Sequence, residues 1–186
     1  MSEAARPGSD DAAAGPASSV LARACDLVDR INEWSGLFWG FTIVFVTLAV
    51  LYEVVARTLF GAPTEWGNET TIYLSAMAYL LAGGYALLHR RHVRIDVLYE
   101  ALSKRTQVRL DAFTFLFFLA YVLTLIWVGG ADAWNSFQIG ETTSTPWNPP
   151  IWPVKLAIPA AGVLLLLQGI ANLLRDLGWV RSGTTR

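Results

Sequence analysis

The stretch WSGLFWGFTIVFVTLAVLY, residues 34–52, decides the fold, because it contains no charged residue and lies between Glu33 and Glu53. Three further uncharged stretches follow, at residues 70–88, 112–131 and 156–174. Each of the four has 19 or 20 residues. At about 1.5 Å per residue, a helix of that length is roughly 29 Å long, which matches the roughly 30 Å hydrocarbon core of a bilayer. Only a helix satisfies its own backbone N–H and C=O groups there. The sequence therefore predicts an all-α integral membrane protein with four transmembrane helices.

The segments outside these spans are too short to bury a soluble core. We expect a disordered tail over residues 1–19, a four-helix membrane domain over residues 20–177 and a second tail over residues 178–186. No basic start followed by an apolar run is present, so the first span is expected to act as the insertion signal. The single cysteine, Cys25, has no disulfide partner. The net charge of −1 gives no indication of nucleic-acid binding.

The distribution of positive charge predicts the orientation. Twelve of the 14 Lys and Arg residues lie before the first span, between the second and third spans, or after the fourth. The other two loops hold only Arg57 and Lys155. By the positive-inside rule, both termini and the middle loop are predicted to be cytoplasmic and the two other loops to lie on the opposite side of the membrane.

Two amphipathic segments lie on the predicted cytoplasmic side. From Val20 to Ile31, apolar residues recur at helical spacing opposite charged ones. This helix either lies on the membrane surface or continues the first span as a straight arm. In the middle loop, an apolar stripe begins at Ile95 and basic residues extend to Arg109. This pattern predicts an interfacial helix on anionic membrane lipid.

Residue size within the spans suggests how they pack. Small residues from Ser75 to Ala86 allow close backbone approach, so the second span is expected to be the packed centre. The aromatic-rich third span is expected to face lipid or a partner protein. Pro159 removes one helical hydrogen bond in the fourth span. Gln168 and Asn172, one turn apart, are expected to form interhelical hydrogen bonds, with a role in conduction as the alternative.

The spans lack the groups that transport and catalysis at membrane depth normally require. No Asp, Glu, Lys, Arg or His lies inside any of the four stretches, so a proton relay or an ion-coupled carrier within this chain alone is not expected. The only histidines, His89 and His92, are three residues apart and have no evident third metal ligand. No serine nucleophile with a base and no phosphate-binding loop is present. We expect no enzyme activity, no cofactor and no metal.

Charged residues at the edges of the second span resemble a known family. Arg57 is followed by Glu65, Trp66 and Glu69 before that span, by Gly83-Gly84 within it, and by the sequence RHVRID, residues 91–96, after it. This order is similar to that in the small membrane subunit of tripartite ATP-independent periplasmic (TRAP) transporters, over roughly residues 31–177. Two features depart from the family pattern, Lys155 and the sequence PAAG at residues 159–162.

The resemblance implies a secondary transport system for organic acids, driven by a sodium gradient, in the inner membrane of a bacterium, with the two less basic loops in the periplasm. The implied partners are a large TRAP permease subunit, which this chain would scaffold, and a periplasmic substrate-binding protein. The residues it singles out are candidates for a partner interface or a structural role: Arg57, Glu65, Trp66, Glu69, His92, Asp96, Trp147 and Trp152.

These candidates also have simpler explanations. Arg57, Glu65 and Glu69 could pair within the chain, with a partner or with water. An aromatic belt at the membrane interface accounts for most of the tryptophans. Trp147 and Trp152, in a Pro-rich outer loop, are the best candidates for contact with a docked binding protein. His92 and Asp96 are expected to anchor the turn after the second span. The competing function is a membrane anchor or a small channel subunit of another inner-membrane complex.

Overall fold

The computed structural model describes residues 16–89 and 104–176, which form helices joined by short connections. The helices are α1 (Pro16–Phe60), α2 (Gly67–Leu81), α3 (Gly83–Leu88), α4 (Lys104–Gln138) and α5 (Trp152–Asp176). Four segments are long and apolar enough to cross a membrane: α1, α2 together with α3, α4, and α5. The predicted class of an all-α membrane protein with four spans is confirmed.

The helices α2 and α3 form one span with a local irregularity at Ala82. The Ala82 N–H donates to the Ala78 carbonyl at 3.0 Å, and the Ala86 N–H donates to the Ala82 carbonyl at 3.1 Å. Helical hydrogen bonds therefore continue through the junction, and Ala82 itself keeps helical dihedral angles.

The helix α5, rather than the second span, is the centre of the bundle. It contacts α1, α2, α3 and α4, whereas α2 and α3 lie between α1 and α5. Its small residues explain the close approach, since Ala157, Ala161 and Ala171 are buried. Gly162 faces Ile126 of α4 so closely that a Cβ atom there would lie 2.7 Å from its Cγ1. The expectation of a central second span was wrong, because the small residues of α5 meet neighbours on more than one side.

The helix α1 continues without a break from the amphipathic segment into the first span. The sequence left open whether this segment lies on the membrane surface or continues the first span, and the unbroken helix favours the continuation. With 45 residues, α1 is roughly 67 Å long, about twice the thickness of the hydrocarbon core. Its N-terminal part packs on α5 through a small cluster around Cys25 and Ala171, joined by Leu21, Val28 and Leu174.

The neighbouring face of α1 carries a continuous exposed row of apolar residues, which we name the outer stripe. Its members alternate at spacings of three and four residues, the heptad pattern of helix-pairing surfaces. All of them are exposed: Val20, Ala24, Leu27, Ile31, Trp34, Phe38, Phe41, Phe45, Leu48, Tyr52, Val55 and Leu59.

The helix α4 lies at the edge of the bundle, with α5 as its principal neighbour. Phe113, Phe117 and Tyr121 are exposed, as the aromatic pattern of the third span predicted. Phe118 turns inward and covers Gly169 of α5, where a Cβ atom would overlap its ring. A large exposed surface of α4 is thus left for lipid or another protein.

Candidate functional site: polar groups at the two ends of the bundle

The connection between α1 and α2 is held by Glu53, which the sequence marked only as the end of the first span. Its buried carboxylate accepts a hydrogen bond from the Thr64 N–H at 3.1 Å and another from the Thr64 hydroxyl. Gly67 lies against the same carboxylate, so that a Cβ atom there would be 3.0 Å from Glu53 Oε2. Glu53 therefore fixes the path of the chain from α1 into α2.

Three of the candidate residues surround this connection. Arg57 Nη2 donates to Glu53 Oε1 at 2.9 Å, while its side chain remains 64% exposed. Trp66 stacks on Tyr52, with ring centroids 6.3 Å apart and planes at 21°. Glu65 is exposed. An open groove of about 380 Å³, lined in part by Arg57 and Asn68, lies beside them.

Glu69 belongs to a different group, because it connects α2 to the outer loop between α4 and α5. Its carboxylate is buried and accepts a hydrogen bond from the Thr143 hydroxyl at 3.2 Å. Thr143 is two residues from Glu141, where the Pro-rich loop begins. Glu69 thus links the second span to the loop that contains Trp147.

The loop from Glu141 to Pro153 is a structured hairpin, which we name the outer hairpin. The Ile151 N–H donates to the Glu141 carbonyl at 3.0 Å, and the Thr143 N–H donates to the Pro149 carbonyl at 3.3 Å. Hydrogen bonds from backbone N–H groups to side chains close its tip: Ser144 N–H to Asn148 Oδ1 at 3.0 Å and Asn148 N–H to Thr145 Oγ1 at 3.2 Å.

The tip of the outer hairpin also requires left-handed backbone at two positions. Ser144 and Asn148 have φ angles of 57° and 52°. Asn tolerates this conformation better than most residues, and its side chain here compensates with a hydrogen bond. These constraints fix the backbone around Trp147, a residue that is 44% exposed.

Trp152 differs from Trp147 although both lie in the predicted loop. Trp152 is half-buried at the start of α5 and packs edge-on against Phe137, with ring centroids 5.6 Å apart. Of the two candidates for docking, only Trp147 presents its ring at the tip of the hairpin.

Lys155 fastens the outer hairpin to the ends of α4 and α5. Its Nζ donates to Glu141 Oε2 at 2.7 Å and contacts Asp132 Oδ2 at 3.1 Å. The hydrogen bond from Lys155 lowers the pKa of Glu141 below its ordinary value. Lys155, which departs from the family pattern, thus pairs with Asp132 of α4 and with Glu141 of the outer hairpin.

At the opposite end of the bundle, Gln168 and Asn172 form interhelical hydrogen bonds, as the sequence predicted. Gln168 Oε1 accepts from Asn32 Nδ2 of α1 at 2.8 Å, and its Nε2 donates to Asp29 Oδ1 at 3.0 Å. Asn172 Nδ2 donates to the Leu87 carbonyl of α3 at 3.2 Å. These side chains join α1, α3 and α5.

The same group includes an ion pair that sequence reasoning missed. Arg175 donates from Nη1 and Nη2 to the two carboxylate oxygens of Asp29, at 3.0 and 2.6 Å. The sequence placed Asp29 on the solvent-facing side of an amphipathic helix. The sequence did contain one indication of this pair. Asp29 precedes the first span and Arg175 follows the fourth, so both residues were predicted to lie on the same side of the membrane.

The missed pair of Asp132 and Lys155 had a similar signal. Two spans joined by a short hairpin have adjacent outer ends, and opposite charges flank those ends.

His92 and Asp96 lie outside the described residues, as do Ile95 and the rest of the stripe assigned to an interfacial helix. Within residues 16–89 and 104–176, no cluster of three or more His, Cys, Asp or Glu side chains has the arrangement of a metal site.

The chain has four apolar spans, and polar side chains join these spans to one another at both ends of the bundle. These features define a multi-pass helical membrane protein. The family model described as "Tripartite ATP-independent periplasmic transporters, DctQ component" matches residues 46–178. The chain belongs to this family, which confirms the resemblance to the small membrane subunit of TRAP transporters. It is therefore a transporter component of the inner membrane. A comparison with curated proteins found no match.

Proposed function

We propose that this chain is the small permease subunit that scaffolds the large subunit of a TRAP-type transporter and helps to dock the substrate-binding protein. The proposed process is sodium-driven uptake of an organic acid. The family match over residues 46–178 carries the proposal. A scaffold role is further supported by the spans, whose uncharged stretches contain no Asp, Glu, Lys, Arg or His with which to couple substrate to an ion gradient.

The pairing of the charged groups at the span ends also favours a scaffold. Asp29 is held by Arg175, and Glu141 by Lys155. Glu53 is engaged by Arg57 and Thr64. These carboxylates already have partners that keep the helices and loops in place, so they are poorly placed to bind and release a substrate during each transport cycle.

The outer hairpin is the proposed contact for the binding protein. Its internal hydrogen bonds and prolines reduce the conformational entropy that binding would cost. Trp147 offers a large amphipathic ring at the tip, the kind of side chain that dominates many interfaces. Arg57, Glu65 and Trp66, near the α1–α2 connection, are proposed to extend this outer platform.

The proposed orientation places both termini in the cytoplasm and the outer hairpin in the periplasm. It is supported by the uneven distribution of Lys and Arg. We expect a membrane-impermeant thiol reagent, added from outside, to label Ser144→Cys and not Ser103→Cys. The native Cys25 is buried and would be replaced by Ser in both variants. Equal labelling of the two positions would contradict the orientation.

Reconstitution tests the scaffold role. The isolated chain in proteoliposomes should show no substrate flux, whereas flux should appear when the large subunit and the binding protein are added. Uptake by the isolated chain would contradict the proposal. A failure to co-purify with the large subunit would instead favour an anchor or channel subunit of another complex.

A further inference from the structure

The outer stripe of α1 is too long to lie within the hydrocarbon core of a bilayer. From Val20 to Leu59 it extends roughly 58 Å along the helix, whereas the hydrocarbon core is about 30 Å thick. To fit within that core, α1 would have to tilt by about 60°, beyond the roughly 0–40° range of membrane helices. Part of the stripe must therefore lie outside the hydrocarbon.

The exposed face of α4 provides an internal comparison. Its apolar residues extend from Leu110 to Phe137, which is roughly 40 Å along the helix. Within the same core of about 30 Å, a face of that length needs a tilt of roughly 42°, close to the upper end of the range of membrane helices. The excess over the core is thus about 10 Å for α4 and about 28 Å for α1.

The excess lies at the N-terminal end of α1, before the uncharged stretch that begins at Trp34. Val20 and Leu27 are 63% and 59% exposed, and Ile31 is 44% exposed. The other flank of the helix is occupied by α5, through the cluster around Cys25. Inside a bilayer, an apolar face gains little from exchanging lipid for protein, but outside it the alternative is water. The hydrophobic driving force for docking is therefore concentrated between Val20 and Ile31.

Two positive charges border this part of the stripe. Arg23 and Arg30 are exposed and occupy successive g positions of the heptad, one residue before Ala24 and Ile31. In a parallel helix pair, a g residue faces the e position of the partner helix. The charge pattern thus calls for a partner helix with acidic e positions at this level.

We propose that the segment of the outer stripe from Val20 to Ile31 docks a long helix of the large permease subunit, with acidic side chains opposite Arg23 and Arg30. This inference rests on the proposed function and adds the surface that the partner uses. Most of the stripe precedes residue 46, where the family match begins, so the assignment comes from this chain rather than from the family pattern.

A second copy of this chain fits the same surface poorly. Two copies related by an axis along the membrane normal would pair α1 with α1 in parallel. Arg23 and Arg30 would then face the e positions of the other copy, among them Val28 and Ser35, which carry no negative charge. Both residues are also turned toward the other helices of their own chain.

Photo-crosslinking in membranes that contain both subunits tests the proposal. A photoreactive amino acid is placed at Ile31, and in a separate variant at Leu110 of α4, which is equally exposed at 44%. We expect Ile31 to form an adduct with the large subunit and Leu110 to form none. Adducts between two copies of this chain, adducts within one chain, or labelling of lipid alone at Ile31 would each overturn the proposed surface.

A substitution experiment separates the surface from the proposed function. Leu27→Asp combined with Ile31→Asp should reduce the large subunit recovered by co-purification about tenfold or more, whereas Leu110→Asp should not. The melting temperature of the isolated double variant should stay near that of the wild type, because both side chains are exposed. Unchanged recovery would overturn the surface and leave the scaffold role intact. Absence of co-purification by the wild-type chain would contradict the scaffold role itself.

Discussion

Arg175 of α5 donates hydrogen bonds from both terminal guanidinium nitrogens to the carboxylate of Asp29 of α1, at 3.0 and 2.6 Å, although the two residues are 146 positions apart. Both side chains are largely shielded, at 11% and 15% exposure. The pair lies beside Gln168, whose Nε2 also donates to Asp29. This arrangement closes one end of the bundle by joining the first and last spans.

Replacing Arg175 should destabilise the subunit, because the Asp29 carboxylate would remain shielded without its counter-charge. For Arg175→Ala we expect a loss of about 2 kcal/mol, below the roughly 3–5 kcal/mol of fully buried pairs because this pair lies at the bundle end. Thermal unfolding in detergent measures the effect. Arg23→Ala, which removes an exposed Arg from the same end of α1, is the control. Equal effects of the two substitutions would show that the ion pair contributes nothing specific.

The hydrogen bond between Asn32 and Gln168 should appear as a coupling energy. A double-mutant cycle with Asn32→Ala and Gln168→Ala is expected to give roughly 0.6–1.7 kcal/mol, the range of interhelical hydrogen bonds in membranes. Unfolding free energies of the wild type, the two single variants and the double variant supply the cycle. Strict additivity of the two substitutions would mean that the 2.8 Å contact does not stabilise the bundle.

The neighbouring glycines of α3 should differ sharply in their tolerance of a methyl group. A Cβ atom on Gly84 would overlap Asn32 Oδ1 and lie 2.8 Å from Asn32 Cγ, whereas one on Gly83 would meet its nearest neighbour, Leu165, at 3.7 Å. We therefore expect Gly84→Ala to lower the melting temperature and Gly83→Ala to leave it unchanged or raise it. The reverse order would contradict the close contact between α1 and α3.

The attachment of the outer hairpin should weaken in acid. Lys155 holds the pKa of Glu141 below its ordinary value of 4.5. A lowered pKa in the folded state contributes stability above pH 4.5, and this stability is lost as the pH falls through the folded-state pKa. The difference in melting temperature between the wild type and Lys155→Met should therefore be largest near neutral pH and shrink below pH 4.5. Lys155→Arg, which keeps the charge, should retain the wild-type pH profile. A difference that grows in acid would refute this linkage.

Trp147 should affect docking rather than folding. In proteoliposomes with both membrane subunits, Trp147→Ala should raise the concentration of binding protein needed for half-maximal uptake, while co-purification of the membrane subunits stays normal. Trp134→Ala removes another exposed outer tryptophan, one that packs on Phe137 of its own helix and is expected to leave the titration unchanged. If Trp147→Ala leaves both the titration and the assembly unchanged, Trp147 has no docking role and belongs to the aromatic belt at the membrane interface.

The positions of the helices and the family could be predicted from the sequence, because both depend on residues that lie close together in the chain. The absence of charge over residues 34–52 predicts a span whatever its neighbours are, and the residues flanking the second span resemble one family. Gln168 and Asn172 could be predicted to bond between helices, since an amide within an apolar span has few other partners.

The identity of those partners is a property of the packed bundle. Whether Asp29 faces water or Arg175, and whether Glu69 meets Thr143, depends on how each helix is rotated against its neighbours. That rotation is set by close contacts between distant residues, such as Gly84 with Asn32 and Gly162 with Ile126. No local pattern distinguishes the two apolar sides of α1. The positions of α2, α3 and α5 against α1 determine which face is buried in the subunit and which remains as the outer stripe, because both faces repeat at nearly the same helical spacing.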